Sequence, residues 1–273
     1  MPLIKRGFRV VKPLAMAVGL SAMAADKDVE VVVVDAGDAG LAADAAAIVG
    51  GRIGTPAPDD MLVAVVAPGG NAAHVAPVVG EHRRKGGDAV VAVLGTHVQR
   101  RRAERALLAD PDVEMSVVEH IDALDGAGAD VLRAAVVRGL STRAVAAGNT
   151  HPPLRDEVAR GLERRAARRA AVVASAPGIS GAAMPLLTVT QVRLASDLTG
   201  LAGGRPDARI LGQVAAIAGA APLWRATARR LITAVPSAET VVRGGLAYTV
   251  TRGVAVAARR LAPSGPDPVQ EER

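Results

Sequence analysis

The chain has 273 residues, half of them apolar, which is enough to bury one large or two modest cores and excludes global disorder. Net charge is +6 with a sequence pI near 10.6, carried almost wholly by arginine, since the lysines are Lys5, Lys12, Lys27 and Lys85. The lack of cysteine excludes disulfides, thiolate metal sites and thiol nucleophiles, and with only Phe8, Trp224 and Tyr248 aromatic, no base-stacking nucleic-acid partner is expected.

The first 25 residues place Lys5, Arg6, Arg9 and Lys12 before an apolar run, Pro13 to Ala25, that contains Ala22-Met23-Ala24. Two readings fit: a leader helix packed on the succeeding domain, or a secretory signal with an A-x-A cleavage site, which would make the mature protein secreted.

From residue 26 to 140 strand and helix patterns alternate. Val29 to Val34 is a β-branched run ending at Asp35, followed by a helix over Leu41 to Val49. Met61 to Ala67 is the next strand, with a helix over Ala72 to Lys85. Ala89 to Leu94 comes next, then a helix over Gln99 to Ala109, a weaker strand over Val113 to Val118, and a helix over Gly128 to Val137. Near-continuous apolar strands imply burial on both faces. With helices between them, they predict an α/β domain with a doubly wound, mostly parallel sheet.

Ligands of such sheets sit at the carboxyl ends of the strands, so the loops there are where chemistry is expected. The first runs Asp35-Ala36-Gly37-Asp38-Ala39-Gly40, the second Pro68-Gly69-Gly70-Asn71, and the third Gly95-Thr96-His97-Val98. The candidate ligand-loop residues are therefore Asp35, Gly37, Asp38, Gly40, Asn71, Thr96 and His97. A phosphate loop needs G-x-x-x-x-G-K-[ST]; the first loop has neither the lysine nor the hydroxyl, and two acids stand where a phosphate would lie. G-x-G-x-x-G is not present in order either. His74, His82, His120 and His151 are isolated in sequence and lack metal-ligand spacing. Neither metal nor cofactor is expected, and no catalytic residue is assigned.

Ser141 to Pro153, with Gly148-Asn149-Thr150 and Pro152-Pro153, reads as a linker into an all-α domain over 154 to 262. Its first helix, Leu154 to about Ala174, carries Arg160, Arg164 and Arg168 at four-residue spacing, with Arg165 and Arg169 in a parallel row. That stripe is either a solvated, salt-bridged face or a patch for acidic headgroups or an acidic partner. Helices over Leu186 to Leu201, Asp207 to Ala221, Leu223 to Ala234 and Ser237 to Leu261 come after it, then a Pro/Gly-rich tail, 263 to 273, expected to be disordered. None is a clean membrane span.

On the last helix Gly245, Thr249, Gly253 and Ala257 form one face of small residues, with a similar row at Gly212, Ala216 and Ala220. Such faces admit a second helix closely, including one from another copy of the chain.

Between about residues 184 and 261, the helix carrying Gln191 and reaching Gly200, the Gly/Ala-rich helix pair, the break at Pro236 and the segment Thr249-Val250-Thr251-Arg252-Gly253 together resemble the YcjF-like helical domain of unknown function. In bacteria that domain often trails an Era/Der-like small GTPase domain. The resemblance implies membrane association and no established reaction. It makes the first half similar to a degenerate G domain. Asp35 to Gly40 would stand in place of the phosphate loop, and Gly95-Thr96-His97-Val98 in place of the N-K-x-D guanine clamp, where Val98 cannot replace the clamp aspartate. The expectation is a non-catalytic pseudo-GTPase scaffold, cytoplasmic and peripheral or integral at the inner membrane, docking on membrane or a protein partner. The alternative is a small-molecule enzyme using Asp35, Asp38, Asn71 and His97.

Overall fold

A computed structural model describes residues 29–34, 37–176, 183–202 and 239–261. The chain divides into two compact units, one ending at Val158 and the other beginning at Ala159.

The first unit is α/β. Its strands are β1 (Val31–Val34), β2 (Arg52–Ile53), β3 (Met61–Val66), β4 (Asp88–Leu94) and β5 (Val118–Ile121), and its main helices α1 (Ala39–Val49), α2 (Ala72–Arg84), α3 (His97–Leu107) and α4 (Gly126–Gly139). All five strands run parallel, in the order β2-β1-β3-β4-β5. Every residue of β3 is buried, as its unbroken apolar run requires. Alternate residues of the central strands face opposite ways. Leu62, Ala64 and Val66, with Ala89, Val91 and Val93, join a core with Val75 and Val79 of α2 and Ala103 and Leu107 of α3. On the other face α1 packs with α4, where a Cβ on Gly139 would lie 2.8 Å from Met61 Cε. The sheet is thus doubly wound. Each fully buried Val or Leu contributes about 1.5–3 kcal/mol relative to exposure.

Two departures from expectation arise from tertiary packing. The fourth run is not a strand over 113 to 118: Met115–Val117 is a 3-10 turn and the strand begins at Val118. Residues 141 to 153 are not a linker. Ser141–Arg143 is a 3-10 turn, entered at a left-handed Ser141 (φ 46°), Ala144–Thr150 is a helix, α5, and Pro152–Leu154 is a second 3-10 turn. Ala144, Ala147 and Leu154 are buried, so this segment closes the α/β unit.

Helix α6 (Arg155–Ser175) crosses the boundary between the units, and α7 (Ala183–Leu201) and α8 (Glu239–Leu261) belong to the second. α7 and α8 pack together, burying Val192, Leu194, Ala195 and Leu198 of one and Val254, Ala255 and Ala258 of the other. Glu163 of α6 is buried and accepts from Arg252 Nε at 2.7 Å and from Arg259 at 3.2 Å. The hydrogen bond from Arg252 to that carboxylate raises the arginine pKa further above its ordinary value. The helices expected over 207 to 221 and 223 to 234, the leader and the tail lie outside the described residues.

Candidate functional site

In this strand order β1 and β3 are neighbours whose succeeding helices pack on opposite faces of the sheet, the position at which doubly wound sheets take ligands at the carboxyl ends of their strands. Asp38 comes after β1 and Asn71 after β3, and Thr96 and His97 come after the next strand. Asp35 lies outside the described residues.

Each of these loops ends by capping the helix it enters. Gly37 turns at φ 99°, a left-handed conformation that suits glycine. Asp38 is then the N-cap of α1, its carboxylate accepting from the Leu41 amide at 3.0 Å. A Cβ on Gly40 would approach Asp38 Oδ1 to 3.3 Å, so the small residue leaves that carboxylate room. Asn71 caps α2, accepting from the Ala73 amide at 3.2 Å. At Thr96 the Gln99 side chain reaches back, accepting from the Thr96 amide at 2.9 Å and from its hydroxyl at 3.0 Å. Asp125 closes the series, accepting from the Gly128 amide at 3.3 Å at the start of α4. An anion seated at a helix N-terminus needs those same first-turn amides. At α1 the competitor is an intramolecular carboxylate, which also sets a negative charge where a phosphate would approach.

His97 opens α3 and is exposed, as is Val98. Arg100, one turn on, is ion-paired with Asp122 at the end of β5. The cation nearest in sequence to the third loop is therefore already matched.

The opposite, amino edge holds the polar groups that sequence spacing does not single out. A cleft of about 210 Å³ lies between the start of β4, β5 and the end of α4, rimmed by Arg83, Asp88, Glu119 and Arg138. Arg138 pairs with Glu119, and Arg143 with Asp88 at 2.5 Å, so the rim charges are internally compensated. His82 is buried, and its Nε2 lies 3.2 Å from both the Asp60 and Asp88 carbonyls, one N–H shared between two acceptors. His151, 5% exposed, has Nδ1 at 2.8 Å from the Gly50 carbonyl and Nε2 at 2.8 Å from the Val29 carbonyl. Nearer the carboxyl ends of the strands, Glu104 of α3 is buried with Oε2 3.4 Å from Nε2 of His120 on β5. Apart from His82 and Asp88, six residues apart, these partners are separated by 16 to 122 residues, so no local motif announces them.

In the second unit Arg160, Arg164, Arg168 and Arg169 are exposed along α6, with Arg165 half-buried. Burial, then the neighbouring Arg169 charge, lowers the Arg165 pKa, with Asp197 opposing. The small-residue face of α8 is turned outward. Gly245, Thr249 and Gly253 are exposed and Ala257 half-buried, and a Cβ on Gly245 or Gly253 would meet nothing within 4 Å among the described residues. The face that packs inside the unit is instead Thr251, Val254, Ala255 and Ala258. Among the described residues no helix is long and apolar enough to cross a membrane. Comparison with protein-family models, curated proteins and solved structures finds no match.

Proposed function

We propose that the protein is a non-catalytic scaffold: a GTPase-like α/β unit that does not take up nucleotide, joined to a helical unit that docks on an anionic, cytoplasmic membrane surface. The observation that carries it is the capping of α1 by Asp38, which holds a carboxylate where the first βα turn would cradle a phosphate. The doubly wound sheet supports the GTPase-like reading of the unit, and the loop chemistry supports its loss of nucleotide. The exposed arginine row of α6 supports docking on acidic headgroups, because clustered positive charge is attracted to anionic lipid.

Two measurements on the full chain test this. Titration with a fluorescent GTP analogue and Mg²⁺ is expected to show no micromolar binding; saturable, Mg²⁺-dependent binding would overturn the nucleotide-blind reading. Flotation with phosphatidylglycerol vesicles is expected to carry the protein upward at low salt and not with phosphatidylcholine alone. Failure to float with the anionic vesicles, beside a protein partner that binds through α6, would replace the membrane by that partner.

A further inference from the structure

The charge of the chain changes sign along its length. Residues 27 to 154, which hold the sheet and its helices, carry 12 lysines and arginines against 17 acids. Helices α6, α7 and α8 carry 11 arginines against five acids. Whatever pairs form within those helices, positive charge is left over. In the α/β unit cations meet acids of the same unit, as Arg52 does Glu30, Arg84 does Asp112, and Arg133 does Asp130.

The excess is spread over a surface. Arg160, Arg164 and Arg168 are exposed along α6 and cover roughly 12 Å of helix. Arg252, Arg259 and Arg260 are exposed over the same length of α8. Glu163 sets the second row beside the first. Buried itself, it accepts from Arg252 at 2.7 Å and from Arg259 at 3.2 Å, while those side chains stay 57% and 39% exposed. Burial, then the charge of Arg169, lowers the Arg165 pKa, so like charges crowd on α6, and an external anion relieves such crowding. Exposed valines stand on the same helices, Val172 on α6 and Val256 on α8. Cations distributed over two helices, with apolar side chains on those helices, fit the headgroup layer of an anionic bilayer. A single phosphate would call for arginines converging on one point.

We propose that the contact with anionic lipid is made by α6 and α8 together, and that the α/β unit, with its excess of acids, contributes no cation to it. This rests on the membrane reading above and adds to it which residues make the contact. A negative surface attracts the arginine rows and repels the acidic unit, and salt weakens both effects.

The test uses the full chain and vesicles of phosphatidylglycerol in phosphatidylcholine at low salt. Arg168→Gln with Arg260→Gln removes two charges from the helices. Arg102→Gln with Arg105→Gln removes two from exposed positions on α3. The first pair is expected to lower the vesicle partition coefficient about 25-fold, at about fivefold per arginine, and the second to leave it within about twofold of wild type. Equal effects in the two variants, whether losses or none, would overturn the inference and leave membrane docking standing. A wild type that does not partition at all would sink both. Should a variant not fold, phenylglyoxal modification of the wild type, mapped by mass spectrometry, decides instead. Vesicles are expected to protect Arg168 and Arg260 and not Arg102 and Arg105; equal protection of both pairs would overturn the assignment. Displacement of the vesicles by duplex DNA at equal phosphate would reassign the face to nucleic acid.

Discussion

Arg143, on the 3-10 turn after α4, donates to the Asp88 carboxylate at the head of β4 at 2.5 Å, and its other terminal nitrogen donates to the Asp59 carbonyl just before β3. One side chain thereby fixes residues 55 and 84 positions away, and turns a Gly/Pro-bearing segment into part of the α/β unit. Both side chains of the pair are less than a third exposed. Arg143→Ala is expected to cost roughly 1–3 kcal/mol in urea denaturation, because it strands a half-buried carboxylate. A stability equal to wild type would mean that this segment hangs outside the cooperative unit.

The capping of α1 and α2 makes a separable prediction. Asp38→Ala and Asn71→Ala each remove an acceptor from a first-turn amide and are expected to lose about 1 kcal/mol of stability. Neither variant is expected to gain or lose binding of a fluorescent GTP analogue. A change in nucleotide signal without a change in stability would point to a ligand-binding loop instead of a cap.

Two glycines are expected to respond in opposite directions. A Cβ on Gly128 would stand 1.7 Å from the Ala123 carbonyl oxygen and 2.8 Å from Ile121 Cγ2, so Gly128→Ala has to displace backbone and is expected to cost about 1–3 kcal/mol or more. On α8 the same change at Gly245 meets nothing within 4 Å among the described residues, and replacing a mid-helix glycine by alanine is expected to stabilise by about 0.5–1 kcal/mol. Thermal unfolding of the two variants compares them directly. Destabilisation at Gly245 would show that something packs on that outward face.

On the exposed side of α2, Lys85 donates to Glu81 at 2.6 Å, and this hydrogen bond, with the ammonium charge, holds the Glu81 carboxyl below its ordinary value of 4.5. A carboxyl depressed in the folded state adds stability above its unfolded value, and that contribution fades as pH falls through its folded one. Wild type is therefore expected to lose slightly more stability than Lys85→Met on acidification below about pH 4.5. The difference should shrink in molar salt, since both groups are solvent-exposed. A difference that survives high salt would contradict a solvated pair.

The strands of the α/β unit were legible residue by residue because their physical cause is local. Apart from Glu30, Val29 to Val34, Met61 to Ala67 and Ala89 to Leu94 are β-branched or apolar, as burial on both faces demands, and they become β1, β3 and β4 within two residues at each end. Strand β2 was not legible, since Arg52 and Ile53 are both exposed and pair only by lying beside β1. The segment from Ser141 to Pro153 misled for a related reason. Gly148-Asn149 and Pro152-Pro153 are turn-forming pairs, yet the seven-residue α5 is held by the burial of Ala144, Ala146 and Ala147 in a core that no local pattern encodes.

The site divides the same way. That the first loop has two acids and no lysine is written in the residues, and this alone decided which phosphate chemistry to leave aside. That Asp38 caps α1, that the small-residue face of α8 looks outward, and that His151 meets two carbonyls 101 and 122 residues away were decided only by the folded chain. Residue type sets what a group can donate, accept or carry as charge. Which partner it meets depends on backbone atoms brought together by packing, and a backbone carbonyl has no side-chain identity for a sequence to display.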